Sequence, residues 1–187
     1  MVNLDIPLKR KVRTLSGGQK AQVALVLALA KRPDLLLLDE PLASLDPLAR
    51  RDFLRTLMDA QLEKGTTLLL SSHIIGDLER VCDYLIILAA SHVQLAGDIQ
   101  EITQTHWRLI GTRQEVETAA GGQTIIEASH TARQTTLLVR TQGPLEGPGA
   151  GASWAVEEAS LEDIVLAYLG QQARRQGAEQ REMEEVQ

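Results

Sequence analysis

The strongest constraint on the fold is a continuous apolar run, Leu35–Leu38, that ends in the acidic pair Asp39 and Glu40. A run without polar alternation is typical of a strand buried on both faces, as in a parallel sheet. Taken alone, it could equally be a buried piece of helix. A second apolar run, Thr66–Leu70, ends in Ser71-Ser72-His73. We therefore expect two strands that each end in chemically useful side chains.

Helix signals lie on both sides of the first run. Gln19–Ala30 is rich in Ala and Leu, which are good helix formers. Asp46-Pro47 has the pattern of an N-cap followed by proline at the first helical position. This second helix should run to about Lys64, where Gly65 is positioned to end it. Helices that alternate with strands predict an α/β layer with parallel strands.

The pattern changes after about residue 104, and we expect a small α+β accessory region at 105–170. Three short strands are predicted at Trp107–Gly111, Gln123–Glu127 and Thr135–Arg140. A Gly/Pro-rich loop follows at Gly143–Gly151, and then a helix at Ser160–Leu169 that Ser160 and Asp163 cap. Residues 171–187 are polar and charged, which is typical of a frayed helix or a disordered tail. The expected divisions of the chain are 1–104, 105–170 and 171–187.

Composition narrows the class of protein. The formal net charge is −6, so there is no basic excess for broad phosphate contact, and we expect no nucleic-acid partner. The one cysteine, Cys82, excludes an internal disulfide and a cysteine-based zinc cluster. The longest strictly apolar run, Val23–Ala30, is too short to span a membrane. The sequence thus predicts a cytoplasmic protein that would serve a membrane only through a partner.

The pentapeptide Leu15-Ser16-Gly17-Gly18-Gln19 is the sharpest local motif. Two glycines allow a ligand to approach the backbone, and the helix behind them offers free N–H groups at the positive end of its dipole. Ser16 adds a hydroxyl donor, so the motif suits a phosphate. A serine-capped helix after a glycine turn explains the same residues, and the pentapeptide alone leaves both interpretations open.

The acidic pair and His73 also have two interpretations each. Asp39 at the end of a buried strand could hold Mg²⁺, directly or through water, because hard cations prefer oxygen ligands. Glu40 could then polarise an attacking water, and His73 could contact a terminal phosphate or hold that water. As isolated residues, the carboxylates could simply cap the next segment, and the histidine could be a solvent-facing helix start.

The order of these motifs resembles the second half of an ATP-binding cassette (ABC) ATPase domain. In that resemblance Leu15–Gln19 is the signature motif, Leu35–Glu40 the Walker B strand, Ser44–Asp46 the D-loop and His73 the switch histidine. The resemblance covers about residues 1–100 and implies the C-terminal part of a P-loop NTPase core. The region that follows, with its segment Ser160–Val165, is similar to the accessory region of bacterial drug- and antibiotic-export ATPase subunits.

The resemblance implies a role for each matching residue. The nucleotide-binding residues, which act on the ATP of a second subunit, are Ser16, Gly17, Gly18 and Gln19. The dimer contacts are Ser44, Leu45 and Asp46, the catalytic residues are Glu40 and His73, and the Mg²⁺ ligand is Asp39. The implied cofactors are ATP and Mg²⁺. The implied partners are transmembrane permease subunits and a second ABC ATPase subunit, identical or different, at the inner face of the cell membrane.

One motif of the family does not occur in the 187 residues. A cassette ATPase holds the triphosphate with a Walker A loop, Gly-x-x-x-x-Gly-Lys-Ser/Thr, yet no lysine here follows a glycine. We therefore interpret the chain as the C-terminal part of an ABC transporter ATPase subunit, and the resemblance of its last region indicates an exporter. We expect that the chain alone neither binds ATP tightly nor hydrolyses it. The alternatives are a non-catalytic module that donates its signature motif to a partner ATPase and a soluble, non-transport ABC ATPase.

Overall fold

The structure is a computed structural model that describes residues 9–142, 145, 147–148 and 152–185. The chain forms two compact units, the first ending at Val81 and the second beginning at Cys82. The divisions 1–104, 105–170 and 171–187 follow the extent of the family resemblance rather than compactness, and they stay predictions. Within the described ranges, no helix is both long and apolar enough to cross a membrane.

The first unit alternates helices and strands as predicted. After a 3₁₀ turn at Val12–Thr14, its elements are α1 (Gly17–Ala30), β1 (Leu35–Leu38), α2 (Pro47–Lys64), β2 (Thr67–Leu70) and α3 (Ile75–Leu78). The Asp46 carboxylate accepts hydrogen bonds from the backbone N–H groups of Leu48 and Ala49, and Gly65 ends α2 with a φ of 63°. Both predicted ends of α2 are confirmed.

β1 and β2 form a two-stranded parallel sheet in which Leu35 lies beside Thr67 and Leu38 beside Leu70. The parallel arrangement is confirmed, but the prediction of burial on both faces is wrong. Leu36 is 8% exposed, whereas Leu35 and Leu37 are 53% and 64% exposed. One face packs against α1 and α2, while no described part of the first unit covers the other.

The core of the first unit lies between the sheet and its helices. Its buried side chains are aliphatic except for one phenylalanine: Leu25, Leu29, Leu36, Leu42, Leu45, Phe53, Leu54, Leu57 and Ala60. Leu42 and Leu45 come from the loop between β1 and α2. Because these leucines are 0% and 4% exposed, the loop is anchored in the core, and the polar residues beside them have fixed positions.

The second unit is antiparallel. Its elements are β3 (Tyr84–Ala89), β4 (His92–Asp98), α4 (Ile99–Thr105), β5 (His106–Gly111), α5 (Arg113–Ala119), β6 (Thr124–His130), β7 (Thr135–Arg140), β8 (Ala155–Glu158) and α6 (Leu161–Glu185). β3 and β4 form a hairpin, and the four-stranded sheet has the order β6-β7-β5-β8. The molecule therefore has the predicted α/β class, with parallel strands followed along the chain by an α+β region.

Several elements of the second unit differ from the sequence predictions. The three predicted strands are present as β5, β6 and β7, while α4, α5 and β8 were not predicted. Residues 143, 144, 146 and 149–151 of the predicted Gly/Pro loop lie outside the described residues. α6 continues through the predicted polar tail to Glu185. At its start the Asp163 N–H donates to the Ser160 hydroxyl at 3.1 Å.

Candidate functional site

The parallel register brings the ends of β1 and β2 together. Leu38 lies beside Leu70, and the Ser71 N–H donates to the Leu38 carbonyl at 2.9 Å. Asp39 and Glu40 after β1 therefore lie next to the Ser71–His73 segment after β2. This common edge at the carboxyl ends of parallel strands is where open α/β sheets place their ligand sites.

Ser71 connects the two strand ends through its side chain. Its hydroxyl donates to Asp39 Oδ1 at 2.6 Å and accepts the backbone N–H of Glu40 at 2.9 Å. Sequence reasoning did not select Ser71 as a site residue. The available signal was its position, since the residue that follows β2 must lie opposite the residue that follows β1.

Glu40 and His73 form the second contact of the site. His73 Nδ1 and Glu40 Oε2 are 2.8 Å apart, and the two side chains are 68% and 41% exposed. Glu40 has a φ of 43°, a left-handed conformation that costs a non-glycine residue about 1–3 kcal/mol. The Ser71 bond and the buried Leu42 hold the backbone in this turn. From this left-handed backbone the Glu40 carboxylate reaches the histidine.

Asp39 has a donor set suited to Mg²⁺. Oδ1 accepts the Ser71 proton, and the described residues give Oδ2 no hydrogen bond. In the described part of the chain there is no group of three His, Cys, Asp or Glu side chains that could hold a metal. A cation here would take one carboxylate from this protein and complete its shell with water and substrate oxygens. Mg²⁺ is commonly bound in this way, since it keeps several waters.

The signature residues form the start of α1. Ser16 is the N-cap, and its hydroxyl accepts the N–H of Gln19 at 3.2 Å. The Gln19 side-chain carbonyl accepts the N–H of Ser16 at 3.1 Å, which completes a capping box. The serine-cap interpretation therefore holds, and it leaves the hydroxyl proton of Ser16 free to donate to a ligand.

The two glycines lie against the predicted D-loop. A Cβ on Gly18 would lie 3.1 Å from Leu45 Cδ2, and one on Gly17 would lie 3.5 Å from Ser44 Cβ. The missing side chains therefore allow the start of α1 to approach residues 44–45. At the end of that loop, one carboxylate oxygen of Asp46 accepts the two backbone hydrogen bonds that cap α2. The Arg50 Nε–H donates to the Leu45 carbonyl at 3.0 Å.

The predicted site residues thus form two groups. Asp39, Glu40 and His73 share one hydrogen-bonded cluster with Ser71. Ser16–Gln19 and Ser44–Asp46 form a second group at the starts of α1 and α2. Among the described residues, no hydrogen bond joins the signature residues to the first cluster. Their predicted role, contact with a nucleotide held by another subunit, needs no such bond.

A family model described as "ABC transporter" matches residues 2–43 of this chain. This stretch contains the signature residues, β1 and the acidic pair.

Individual sequence relatives match longer stretches of this chain than the family model does. The ABC transporter ATP-binding protein YtrB of Bacillus subtilis is 36% identical over 109 residues, which are 58% of this chain and 37% of YtrB. The phosphonates import ATP-binding protein PhnC of Rhizobium meliloti is 33% identical over 138 residues, 74% of this chain and 46% of PhnC. The chain therefore spans less than half the length of these relatives.

A solved structure described as the ATP-binding subunit of an ABC transporter has a TM-score of 0.46 with this chain and 34% sequence identity. It covers 51% of this chain, and this chain covers 39% of it. The family match and the sequence relatives together relate this chain to the ATP-binding subunits of ABC transporters.

Proposed function

We propose that these residues are part of an ATP-hydrolysing subunit of an ABC transporter. The observation that carries the proposal is the cluster of Asp39, Glu40, Ser71 and His73 at the ends of two parallel strands. The contacts at 2.6 Å, 2.9 Å and 2.8 Å hold Asp39, Glu40 and His73 side by side, which supports a metal-binding role for the Asp39 carboxylate and a role as general base for Glu40. A capping role for the acidic pair would not require these contacts.

In the proposed mechanism Glu40 accepts the proton of the attacking water. His73, through Nδ1, holds the Glu40 carboxylate in position, and Ser71 holds its backbone. Asp39 would hold Mg²⁺, which when bound neutralises charge on the phosphate oxygens. Because the Glu40 and His73 side chains are 41% and 68% exposed, a nucleotide and its water could reach them from solvent.

The proposed site is completed by a second ATPase subunit, identical or different. Ser16 and the N–H groups of Gly17, Gly18 and Gln19 would contact the ATP of that subunit, with the Ser16 hydroxyl donating its free proton to a phosphate oxygen. Ser44, Leu45 and Asp46 would contribute to the dimer contact. Their position against the signature glycines would allow one subunit surface to present both motifs.

The transport partners are also part of the proposal. Permease subunits would receive the conformational change, and the ATPase would act at the inner face of the membrane. Relatives include an import protein, PhnC. The export direction therefore rests only on the resemblance of the region after residue 104.

The 187-residue polypeptide is expected to be inactive alone because no glycine-preceded lysine is available to hold the triphosphate. Two samples test this: the polypeptide itself, and the same residues fused behind a Walker A-containing segment of a cassette ATPase. We expect Mg-ATP hydrolysis from the fused polypeptide only. Turnover by the unfused polypeptide would overturn the expected inactivity. A well-folded fusion without turnover would count against the proposed function.

A further inference from the structure

A basic groove lies on the first unit, on residues that the proposed ATPase site does not use. One wall is a face of α2, and the other is α3 with the two residues of the chain after Glu79. The groove has a volume of about 350 Å³. On α2 its lining residues recur every three or four positions, at Pro47, Arg50, Arg51, Leu54, Arg55 and Met58. This spacing makes one continuous stripe along the helix.

Four arginines line the basic groove: Arg50, Arg51, Arg55 and Arg80. Within the described ranges none of them lies within 4.0 Å of a carboxylate, since the ion pairs found there involve other residues. Arg50 alone is engaged, through Nε, with the Leu45 carbonyl. The groove therefore presents guanidinium groups whose forked N–H donors are available to carboxylates or phosphates.

Asp77 adds a second and independent signal. Its Oδ2 is buried and has no hydrogen-bond partner among the described residues, although Asp77 lines the same groove as the arginines. A buried polar atom without a partner is costly and uncommon in folded proteins. The atom needs a donor, which a ligand in the groove could supply once the Asp77 side chain turns toward it.

The floor of the basic groove is apolar. Leu54 is 6% exposed and Met58 is 39% exposed, and Val81 lines the opposite wall. A small free anion would satisfy the arginines but would leave both the apolar floor and Asp77 uncovered. The arginines, the apolar floor and Asp77 together would be satisfied by one molecule that has acidic groups, an apolar part and a hydrogen-bond donor.

We propose that the basic groove binds an acidic helical segment of a partner polypeptide. Arg51 and Arg55 are four residues apart on α2, so carboxylates one helical turn apart on the partner can reach both. An apolar side chain between those carboxylates covers Leu54 and Met58. A rotation of the Asp77 side chain on binding brings its buried Oδ2 to a backbone or side-chain donor of the segment. This inference does not depend on the proposed ATPase function.

The test uses the full 187-residue chain and a labelled synthetic helical peptide with two glutamates four residues apart and a leucine between them. Binding is measured by fluorescence anisotropy, with the glutamine version of the peptide as its control. We expect Arg51→Gln combined with Arg55→Gln to weaken binding roughly tenfold, which is about 1.4 kcal/mol. The matched variant, Arg10→Gln with Arg13→Gln, changes net charge equally at exposed positions outside the groove and should bind normally.

Asp77→Ala separates a peptide site from a simple anion site because it removes both the negative charge and the hydrogen-bond acceptor. The variant makes the groove more positive, so binding governed by charge alone would tighten. If Asp77 accepts a hydrogen bond from the peptide, binding should instead weaken several-fold. Changes in the amide NMR chemical shifts of the unaltered chain on addition of the peptide locate the binding site without any substitution. We expect these changes in residues of α2 and α3.

Four results would contradict the proposed peptide site: equal losses in the two double-arginine variants, tighter binding by Asp77→Ala, shifts confined to other elements, or full displacement of the peptide by millimolar inorganic phosphate. The last result would mean that the groove binds small anions rather than a peptide.

Discussion

Ser71 determines the local geometry of the candidate site more than any residue that the sequence motifs single out. One hydroxyl donates to Asp39 and accepts from the backbone of Glu40, so it links the carboxylate proposed to bind Mg²⁺ to the residue proposed as the base. Glu40 needs this support because its φ of 43° is unfavourable for a side chain.

Ser71→Ala should therefore affect both stability and catalysis. The loss of two hydrogen bonds should cost about 1 kcal/mol in the free energy of unfolding. In the active fusion, misplacement of Glu40 should lower kcat about tenfold or more, with KM little changed. Urea unfolding and steady-state kinetics give the two values.

The neighbouring serine offers a matched control. The Ser72 hydroxyl accepts only the Ile74 N–H among the described contacts, so Ser72→Ala should lower kcat much less. Ser71→Thr keeps the hydroxyl and should restore most of the activity. Equal kcat losses in Ser71→Ala and Ser72→Ala would contradict the positioning role of Ser71.

The two signature glycines should differ in their tolerance of a methyl group. Alanine is favoured over glycine in helices by up to about 1 kcal/mol, which should benefit both positions. At Gly18 the new Cβ would lie 3.1 Å from Leu45 Cδ2, whereas at Gly17 the nearest atom is 3.5 Å away.

Gly18→Ala should therefore be less stable than Gly17→Ala, by roughly 1 kcal/mol. Urea unfolding of the two variants, followed by far-UV circular dichroism, measures the difference. A Gly18→Ala protein as stable as Gly17→Ala would show that Leu45 does not pack closely on the start of α1.

At the scale of elements, α4, β5 and α6 meet at a buried histidine. His106 is 0% exposed, with Nδ1 2.7 Å from the Ile102 carbonyl and Nε2 3.1 Å from the Tyr168 hydroxyl. Nδ1 must carry the proton that the carbonyl accepts, so Nε2 accepts from Tyr168. Burial lowers the pKa of His106 below 6.5, an effect to which the charge of Arg140 adds.

This lowered pKa predicts that the second unit loses stability in acid. Between the lowered pKa and 6.5 the unfolded chain binds more protons than the folded one, so stability falls as the pH falls through this window. Urea unfolding at several pH values between 7.5 and 5 measures the effect. Both tryptophans of the chain, Trp107 and Trp154, lie in the second unit, so their fluorescence reports this unit alone.

His106→Gln should remove most of the pH dependence in that window, while His92→Gln, at an exposed position, should leave it in place. An unchanged slope in His106→Gln would show that another group governs the acid sensitivity.

The sequence predicted those elements whose signals are local. The Asp46 cap and Gly65 at its two ends gave the bounds of α2, and two apolar runs gave β1 and β2. The prediction that β1 is buried on both faces was wrong, because burial depends on which elements cover each face. The apolar run itself does not encode those elements. α5 begins with a capping box of Thr112 and Glu115, which is a local helix signal, whereas β8 is a four-residue edge strand with little pattern.

At the scale of the whole molecule, only the first unit carries the predicted site residues. The sequence predicts Asp39, Glu40 and His73 as site residues, and the parallel register brings these three side chains together. It could not identify Ser71, because the bond from Ser71 to Asp39 forms between residues 32 apart in the chain and has no local signature. The proposed activity also requires a Walker A loop, whose pattern does not occur in the 187 residues, and the signature motif of a second subunit.

The most direct test of this account is single-turnover hydrolysis of Mg-ATP by the fused polypeptide with Glu40→Gln. A general base contributes about a hundredfold or more to rate, so we expect at least that loss, with ATP still bound. Glu63→Gln, at an exposed position on α2, makes the same chemical change and should turn over normally. Hydrolysis by Glu40→Gln at the rate of the Glu63→Gln control would contradict the assignment of Glu40 as the base.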